Sequence, residues 1–271
     1  MKSLVRLSAI LGLVGSALIG SFSTENLRAL ALTEDQVFQK LRSVPVFTVT
    51  DAQGSPLVAS VPQGQGQNQN QTVSVAGVFI SQRDAQSFVE RLKTENPELG
   101  RNVQVVPVSL GEVYQLDREN QNKPQGLDFA FIPVQQQVQS AQALMPQSGQ
   151  QAQQFQGTPL FVAKGGEDQG YLTIQQNGQQ VIPFFFEKEQ LQGLVDRFKQ
   201  QQPNMASTVK VEAVTLEGVI QTLQSSNNEQ LNNIVLVPSR ESLEYIRGLS
   251  SSQGSQQAPA APQRAPQRPQ Q

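Results

Sequence analysis

The sequence predicts an α/β (α+β) protein of two similar repeated halves, related by a pseudo-two-fold axis, with a sheet covered by helices. The main observation is a strand-to-helix pattern that occurs twice, as GVFISQRDAQSFVERLK from Gly77 to Lys93 and as VIPFFFEKEQLQGLVDRFK from Val181 to Lys199. Short apolar runs alternate with helical stripes around both copies, so each half is expected to be an α/β unit with its helices gathered on one side of the strands. The predicted division of the chain is a signal peptide at 1–31, a first half at 32–146, a Gln-rich linker at 147–157, a second half at 158–249 and a disordered Gln/Pro-rich tail at 250–271.

The N-terminal segment has the organisation of a secretory signal peptide. Lys2 and Arg6 supply its positive charge, Leu7 to Ile19 form a run of apolar and small residues, and Ala29-Leu30-Ala31 fits a cleavage site. An uncleaved membrane anchor is the alternative, but the run is shorter than the roughly 20 residues that a membrane-spanning helix needs. We therefore expect a mature chain that begins at Leu32, has no transmembrane span and resides in the periplasm.

Capping signals predict the helices of the first half. Thr33-Glu34-Asp35-Gln36 is a capping box, and the helix after it stops before Pro45 because the residue preceding a proline is pushed out of the helical region. Ser81 and Ser109, each followed three residues later by an acidic residue, predict the next two helix starts. A fourth helix, from Pro133, is expected to close the half.

Alternating apolar residues predict the strands that lie between these helices. The run QGQGQNQNQ at residues 63–71 has no apolar residue to bury and is predicted as a solvated loop. The strands predicted for the first half are Val46 to Thr50, Pro56 to Val61, Val73 to Ile80, Val103 to Val108 and Leu127 to Ile132.

The second half repeats this order. Asn177-Gly178 is a hairpin turn signal between two apolar runs. Helices are predicted at Lys188 to Gln201, at Leu216 to Leu223 and around Leu243 and Ile246. The strands predicted here are Thr158 to Val162, Tyr171 to Ile174, Val181 to Phe186, Val209 to Val214 and Ile234 to Val237.

The composition argues against catalysis and against nucleic-acid binding. The chain has no His and no Cys, which removes the usual nucleophile triads, zinc ligands and redox motifs. A hydrolase that uses carboxylates alone is the remaining catalytic hypothesis, but no spacing singles out a pair. The net charge of -2 and the charged fraction of 15% give no field that would attract nucleic acid. We predict a protein that is not an enzyme and that needs no cofactor or metal.

Phe184-Phe185-Phe186 has two interpretations. Neighbouring strand residues point to opposite faces, so three aromatics in a row indicate either a hydrophobic binding surface or a strand that is covered on both faces. The matching residues Val78-Phe79-Ile80 are also apolar, as expected when both copies occupy the same buried position. We predict that these residues belong to the core.

The helix from Leu216 carries an apolar stripe whose counterpart in the first half is incomplete. Such a stripe is more often core than binding surface, but Tyr114 and Leu116 are followed by a polar insert instead of a completed stripe, so the two helices cannot pack identically. This difference leaves room for a cleft that admits an extended apolar segment. The predicted client-binding residues are Tyr114, Leu116, Leu216, Val219, Ile220 and Leu223.

Several segments resemble the Tic twenty-two family, over most of the chain from Leu32 to Leu249. The plastid members of this family are the small intermembrane-space subunit of the chloroplast protein-import apparatus. A bacterial-type leader in place of a transit peptide indicates a cyanobacterial member. The segments that carry the resemblance are Leu32 to Gln36, Val44 to Asp51, Gly77 to Ala85, Thr158 to Phe161 and Val181 to Phe186.

The resemblance implies a soluble, chaperone-like protein between two membranes and transfers no catalytic motif. The partners that the resemblance implies are unfolded outer-membrane or secreted precursor proteins, and outer-membrane assembly components as further partners. The process that it implies is outer-membrane biogenesis or protein import. A thylakoid-associated lumen is the second compartment to consider. The alternative function is a non-catalytic structural subunit that bridges envelope translocation complexes.

Overall fold

A computed structural model of the protein describes residues 11–13, 31–62, 72–121, 123, 126–145, 154–226 and 228–254. Most of the predicted signal peptide, the loop at 63–71 and the end of the predicted tail lie outside the described residues. Within the described part of the chain there are two sheets and eight α-helices. The helices are α1 (Glu34–Leu41), α2 (Gln82–Glu95), α3 (Pro97–Arg101), α4 (Leu110–Asn120), α5 (Gln135–Gln142), α6 (Lys188–Gln201), α7 (Leu216–Ser225) and α8 (Arg240–Gly254).

The first sheet has β4 at its centre. This strand pairs antiparallel with β2 and β3 along successive stretches of one edge and parallel with β6 along the other edge, while β5 adds to β2. The strands are β2 (Pro45–Asp51), β3 (Val58–Pro62), β4 (Thr72–Phe79), β5 (Val103–Ser109) and β6 (Leu127–Ile132).

The second sheet has the same kinds of pairing around β9. This strand pairs antiparallel with β7 and β8 and parallel with β11, while β10 adds to β7. A further short strand, β1, pairs with the outer edge of β8. The strands are β1 (Leu11–Leu13), β7 (Pro159–Gly165), β8 (Gly170–Gln176), β9 (Gln179–Phe185), β10 (Lys210–Thr215) and β11 (Ile234–Val237).

Local sequence signals account for the element boundaries. Thr33 and Ser109 each form the predicted capping box, in which the side chain of the residue three positions on bonds back to the cap. Asn177 and Gly178 have φ of 52° and 81°, the left-handed pair that a two-residue hairpin turn requires. Several strand ends differ by one or two residues from the predicted ones, and α8 continues to Gly254, beyond the start of the segment expected to be a tail.

Both sheets are covered by helices on both faces, so the expectation that the helices gather on one side is wrong. Phe184 and Phe186 contribute to a central cluster and Phe185 to a cluster on the opposite face of the same sheet, because strand residues alternate. All three are at most 7% exposed, which confirms their prediction as core residues. In the first sheet Val78 and Ile80 face the central cluster and Phe79 the outer one.

The central cluster is a helical layer between the two sheets. Helices α1, α4 and α7 contribute fully buried side chains such as Val37, Leu110 and Leu216.

Lys40 on α1 bonds to backbone carbonyl oxygens. Its Nζ donates to the carbonyl oxygens of Asn232 at 2.8 Å and Ile234 at 3.1 Å. Burial lowers the pKa of Lys40, since desolvation disfavours the ammonium form.

Two helices cross from the strand that precedes them to the other sheet. Helix α5 follows β6 of the first sheet, yet its Ala141 is buried in the outer cluster of the second sheet. Gln137 of α5 accepts from the backbone N–H of Lys188 at 3.0 Å and donates to Glu189 at 2.8 Å, both in the first turn of α6. We expected this helix to close the first half; it packs instead on the outer face of the second sheet.

Helix α8 makes the reciprocal crossing. It follows β11 of the second sheet, and its Tyr245 packs edge-to-face on Phe47 of the first sheet, with ring centroids 5.4 Å apart. The Glu241 carboxylate accepts from the Ser81 hydroxyl at 3.1 Å and from the Arg83 backbone N–H at 2.8 Å, so it supplements the N-terminal cap of α2. Burial, with the negative charge of Glu241 as a second cause, raises the pKa of Asp84 in the same turn.

Leu216 and Leu116 provide a matched test of the central layer, because the first is fully buried and the second is 47% exposed. We expect Leu216→Ala to lower the free energy of unfolding by about 2–5 kcal/mol through lost burial and a residual cavity. The exposed leucine, changed in the same way, should cost no more than about 0.5 kcal/mol. Urea unfolding followed by circular dichroism measures both, and equal losses would contradict the placement of α7 between the sheets.

Glu241→Ala tests the crossing of α8. The variant removes acceptors from the first turn of α2, so we expect a loss of about 0.5–2 kcal/mol in unfolding free energy, the usual cost of losing a cap. It also removes a negative charge near Asp84, so the pKa of Asp84 should fall, as measured by NMR titration. Glu244→Ala is the control, since Glu244 is exposed on the same helix. An unchanged Asp84 pKa in the Glu241 variant would show that α8 does not lie at α2.

Candidate binding groove

The structure places most of the six predicted client-binding residues in the core. Leu216 and Leu223 are fully buried, and Tyr114 and Val219 are each 7% exposed. All four belong to the central cluster, and Ile220 packs against it half-buried. In the folded protein a client could reach the four buried side chains only if the helices separated from the sheets.

The reason for this burial is that α4 and α7 both pack against α1 in the layer between the two sheets. The Gln224 amide on α7 donates to the Tyr114 hydroxyl on α4 at 3.1 Å, which satisfies the buried tyrosine. Leu116 points away from this contact and is the one member of the predicted set that is exposed. Although its stripe is incomplete, the apolar side of α4 is therefore part of the same central cluster as the stripe of α7.

An apolar groove lies instead on the outer face of the first sheet. Its volume is about 400 Å³, within the range of about 300–1,000 Å³ that is usual for ligand sites. All eleven lining residues are apolar, and they come from β2, β3, β4, β6, α2 and α3 and from the residue before β3. They are Val49, Leu57, Val58, Ala59, Val75, Gly77, Phe79, Phe88, Leu99, Ala130 and Ile132.

Two small residues create the space at the centre of the groove. Gly77 on β4 and Ala130 on β6 are direct neighbours in the parallel pairing of these strands. A Cβ atom at position 77 would lie 3.0 Å from the Ile132 side chain and 3.5 Å from the Phe79 ring, so a larger residue there would intrude on the groove. Ala130 itself is exposed to solvent.

Large apolar side chains surround this space, and some of them, at its rim, are exposed. The rings of Phe79 and Phe88 pack at a centroid distance of 5.5 Å. Val58 is 43% exposed and Leu99 is 37% exposed. A contiguous exposed apolar surface of this kind is typical of a site that binds another apolar surface.

The corresponding position of the second sheet is filled. On β9, Pro183 lies two residues before Phe185, just as Gly77 lies two residues before Phe79 on β4. The neighbour of Pro183 on the parallel strand β11 is Val235. Residues two apart on a strand share a face, so Pro183 and Val235 occupy on the second sheet the place that Gly77 and Ala130 occupy on the first. Pro183 is buried, in contrast to the open space above Gly77. The groove therefore depends on a local difference between the two sheets.

The groove offers contact surface and no reactive group. Within the described residues, no three His, Cys, Asp or Glu side chains are grouped as metal ligands. None of the helices described here combines the length and the apolar composition that crossing a membrane requires. The chemistry that this arrangement supports is the burial of apolar side chains from a partner.

Sequence reasoning located strands β4 and β9 but did not identify the groove residues. The signal was a mismatch between two similar segments, since the alignment of Gly77 to Lys93 with Val181 to Lys199 sets Gly77 opposite Pro183. Neither residue has a reactive side chain, so neither attracts notice in a search for chemical groups. The sequence shows the substitution, and the sheet register shows that Ala130 lies beside it.

Comparison with known proteins identifies the family. A profile of the Tic22-like family matches residues 1–247. Protein TIC 22-like, chloroplastic, of Arabidopsis thaliana is 24% identical over 212 residues, which are 76% of this chain and 61% of that protein, so the chain spans less than two thirds of it. Protein TIC 22, chloroplastic, of Pisum sativum is 22% identical over 234 residues, 86% of this chain and 84% of that protein.

Solved structures agree with this assignment. The structure of Anabaena Tic22, a protein-transport protein, superposes with a TM-score of 0.70 and 38% identity and covers 80% of this chain and 97% of its own. Tic22 from Plasmodium falciparum shares the fold, with a TM-score of 0.58 and 22% identity over 80% of this chain and 98% of its own. From the family profile and these structures together, the chain belongs to the Tic22-like family.

Proposed function

We propose that the protein is a chaperone-like carrier in protein transport, which binds unfolded or partly folded precursor proteins through the apolar groove of its first sheet. The observation that carries this proposal is an open, wholly apolar groove that includes exposed Val58, Leu99 and Ala130. The protein-transport role of the Anabaena relative supports the same class of function. The clients that we propose are outer-membrane or secreted precursors.

The size of the groove sets the strength of binding. Complete burial of one large apolar side chain contributes about 1.5–3 kcal/mol. Micromolar affinity corresponds to about 8 kcal/mol, so a client must insert several apolar side chains to bind even at this level. A volume of about 400 Å³ accommodates only a short segment, which favours reversible contact with many sequences over tight contact with one.

The periplasm is the compartment that we propose, on the basis of the predicted signal peptide before Leu32. We also propose that the two sheets derive from one duplicated unit with a pseudo-two-fold relation. The identical pairing types around β4 and β9 and the reciprocal crossings of α5 and α8 support this origin. Under it, the groove is a specialisation of the first copy, in which Gly77 and Ala130 replace bulkier residues.

Leu99→Asp tests the carrier function. A carboxylate in the apolar groove must be desolvated when a client binds, so we expect at least a tenfold loss in the ability to suppress aggregation of an unfolded outer-membrane barrel protein. Light scattering during dilution of the client from urea measures this effect. Leu116→Asp is the matched control, because Leu116 is an exposed helical leucine outside the groove lining.

The two leucine variants separate the groove from the surface first predicted on α4. Loss of activity with Leu116→Asp and not with Leu99→Asp would transfer the site to α4. Activity that is unchanged in both variants, or absent in the wild type at stoichiometric excess, would reject the carrier function.

A photo-crosslinking amino acid at Ala130 distinguishes the carrier from the alternative of a structural subunit. Ala130 is exposed and lines the groove, so a probe there contacts whatever binds. We expect crosslinks in living cells to several precursor proteins, and these should increase when outer-membrane assembly is slowed. One stoichiometric partner at all times would instead indicate a structural subunit that bridges envelope complexes.

A further inference from the structure

The outer edge of β8 is occupied by the chain's own N-terminal segment. Leu11–Leu13 pairs antiparallel with β8, and Leu11, Gly12 and Leu13 lie opposite Ile174, Thr173 and Leu172. These three residues lie inside the apolar run that the sequence predicts to be part of a removable leader. The second sheet therefore includes a strand that is absent from any form of the chain that begins at Leu32.

The register specifies which backbone groups meet at this edge. A two-residue hairpin turn is flanked by a pair that exchanges both N–H···O=C bonds, here Gln176 and Gln179. Hydrogen-bonded pairs recur at every second residue of an antiparallel ladder, so the next such pair is Ile174 with Val181. The backbone N–H and C=O of Thr173, one residue earlier, therefore point to the edge of β8 that faces away from β9. Gly12 is the residue paired with Thr173 there.

We propose that the edge of β8 is a strand-addition site whose ligand is an extended apolar segment, and that residues 11–13 occupy it in the full-length chain. Gly12 and Thr173 exchange the two backbone hydrogen bonds that hold this ligand. When residues 1–31 are removed, the site accepts a segment of the same kind from another chain. The site lies on the second sheet and is separate from the groove, so this inference does not depend on the proposed function.

The composition of β8 supports a covered edge. Exposed edge strands are commonly protected by charged residues or proline, because an open row of N–H and C=O groups pairs with other chains. Strand β8, GYLTIQQ, has neither, whereas β3, which pairs with β4 as β8 pairs with β9, ends in Pro62. Leu172 and Thr173 are only 2% and 4% exposed in the full-length chain.

The two faces of β8 define the chemistry of the ligand. Leu172 lies in the apolar outer cluster and Ile174 packs against it, whereas Thr173 and Tyr171 line a cavity of about 490 Å³ with both polar and apolar residues, among them Gln180, Gln230 and Ile182. A matching segment is apolar opposite Leu172 and Ile174 and small or polar opposite Thr173. The sequence Leu-Gly-Leu has this alternation, which is also the pattern of a membrane-spanning β-strand of an outer-membrane barrel.

Amide hydrogen exchange of the full-length chain tests the occupied state. Gly12→Pro removes the N–H that bonds Thr173 and disfavours the strand, so the Thr173 amide should exchange at least tenfold faster. The Ile174 amide, which bonds to β9, should be unchanged, and Ser23→Pro, outside β1, should leave both amides as in the wild type. An unchanged Thr173 rate, or equal acceleration at Ile174, would overturn the proposal.

Peptide binding tests the ligand class. A fluorescent peptide of residues 7–19 with added lysines for solubility should bind the full-length Gly12→Pro chain at least tenfold more tightly than the wild-type chain, whose edge is occupied. N-methylation at the position of Gly12 should abolish binding, whereas methylation at Leu11 and Leu13 should have little effect, since only Gly12 bonds to Thr173. Equal effects of the two methylation patterns would show nonspecific apolar binding and reject strand addition.

Discussion

The fold depends on the fact that both sheets are apolar on both faces. A strand such as Phe184-Phe185-Phe186 exposes a large apolar ring on whichever face is left uncovered, so each sheet needs two helical covers. The protein meets this requirement with one helical layer shared between the sheets and one outer layer on each. The shared layer explains why Leu216, Leu223 and Tyr114 are core residues: they belong to a cluster that includes apolar residues of both sheets.

Local signals in the sequence were sufficient to predict nearly every strand and helix, because caps, prolines and turn residues act over a few positions. The placement of helices could not be predicted in the same way. An amphipathic helix such as α5 shows which of its faces is apolar but not which sheet it will cover, and Gln137 identifies α6 as its neighbour only once the two are seen together. For the same reason the stripe on α7 indicated a buried face but not which elements would cover it.

The groove shows a different limit of prediction. Its formation requires small residues at Gly77 and Ala130, which are separated in the sequence by several helices and a strand. The strand pairing brings them together, and Phe79 and Phe88 then provide the apolar surface around the space. Two small, unreactive residues thus define an open groove lined by apolar residues, while the most aromatic segment of the chain, Phe184 to Phe186, belongs to the core.

The crossing of α8 to the first sheet has a consequence for biosynthesis. Ribosomes make the chain from its N-terminus, so β2 to β6 are complete long before Glu241, Ser242 and Tyr245 exist to cover the end of α2 and the ring of Phe47. The first sheet cannot reach its final form until almost the last residue of the folded region has been synthesised. A chain that is truncated or paused before α8 therefore presents an unfinished outer face of the first sheet, with the Phe47 ring and the end of α2 not yet covered.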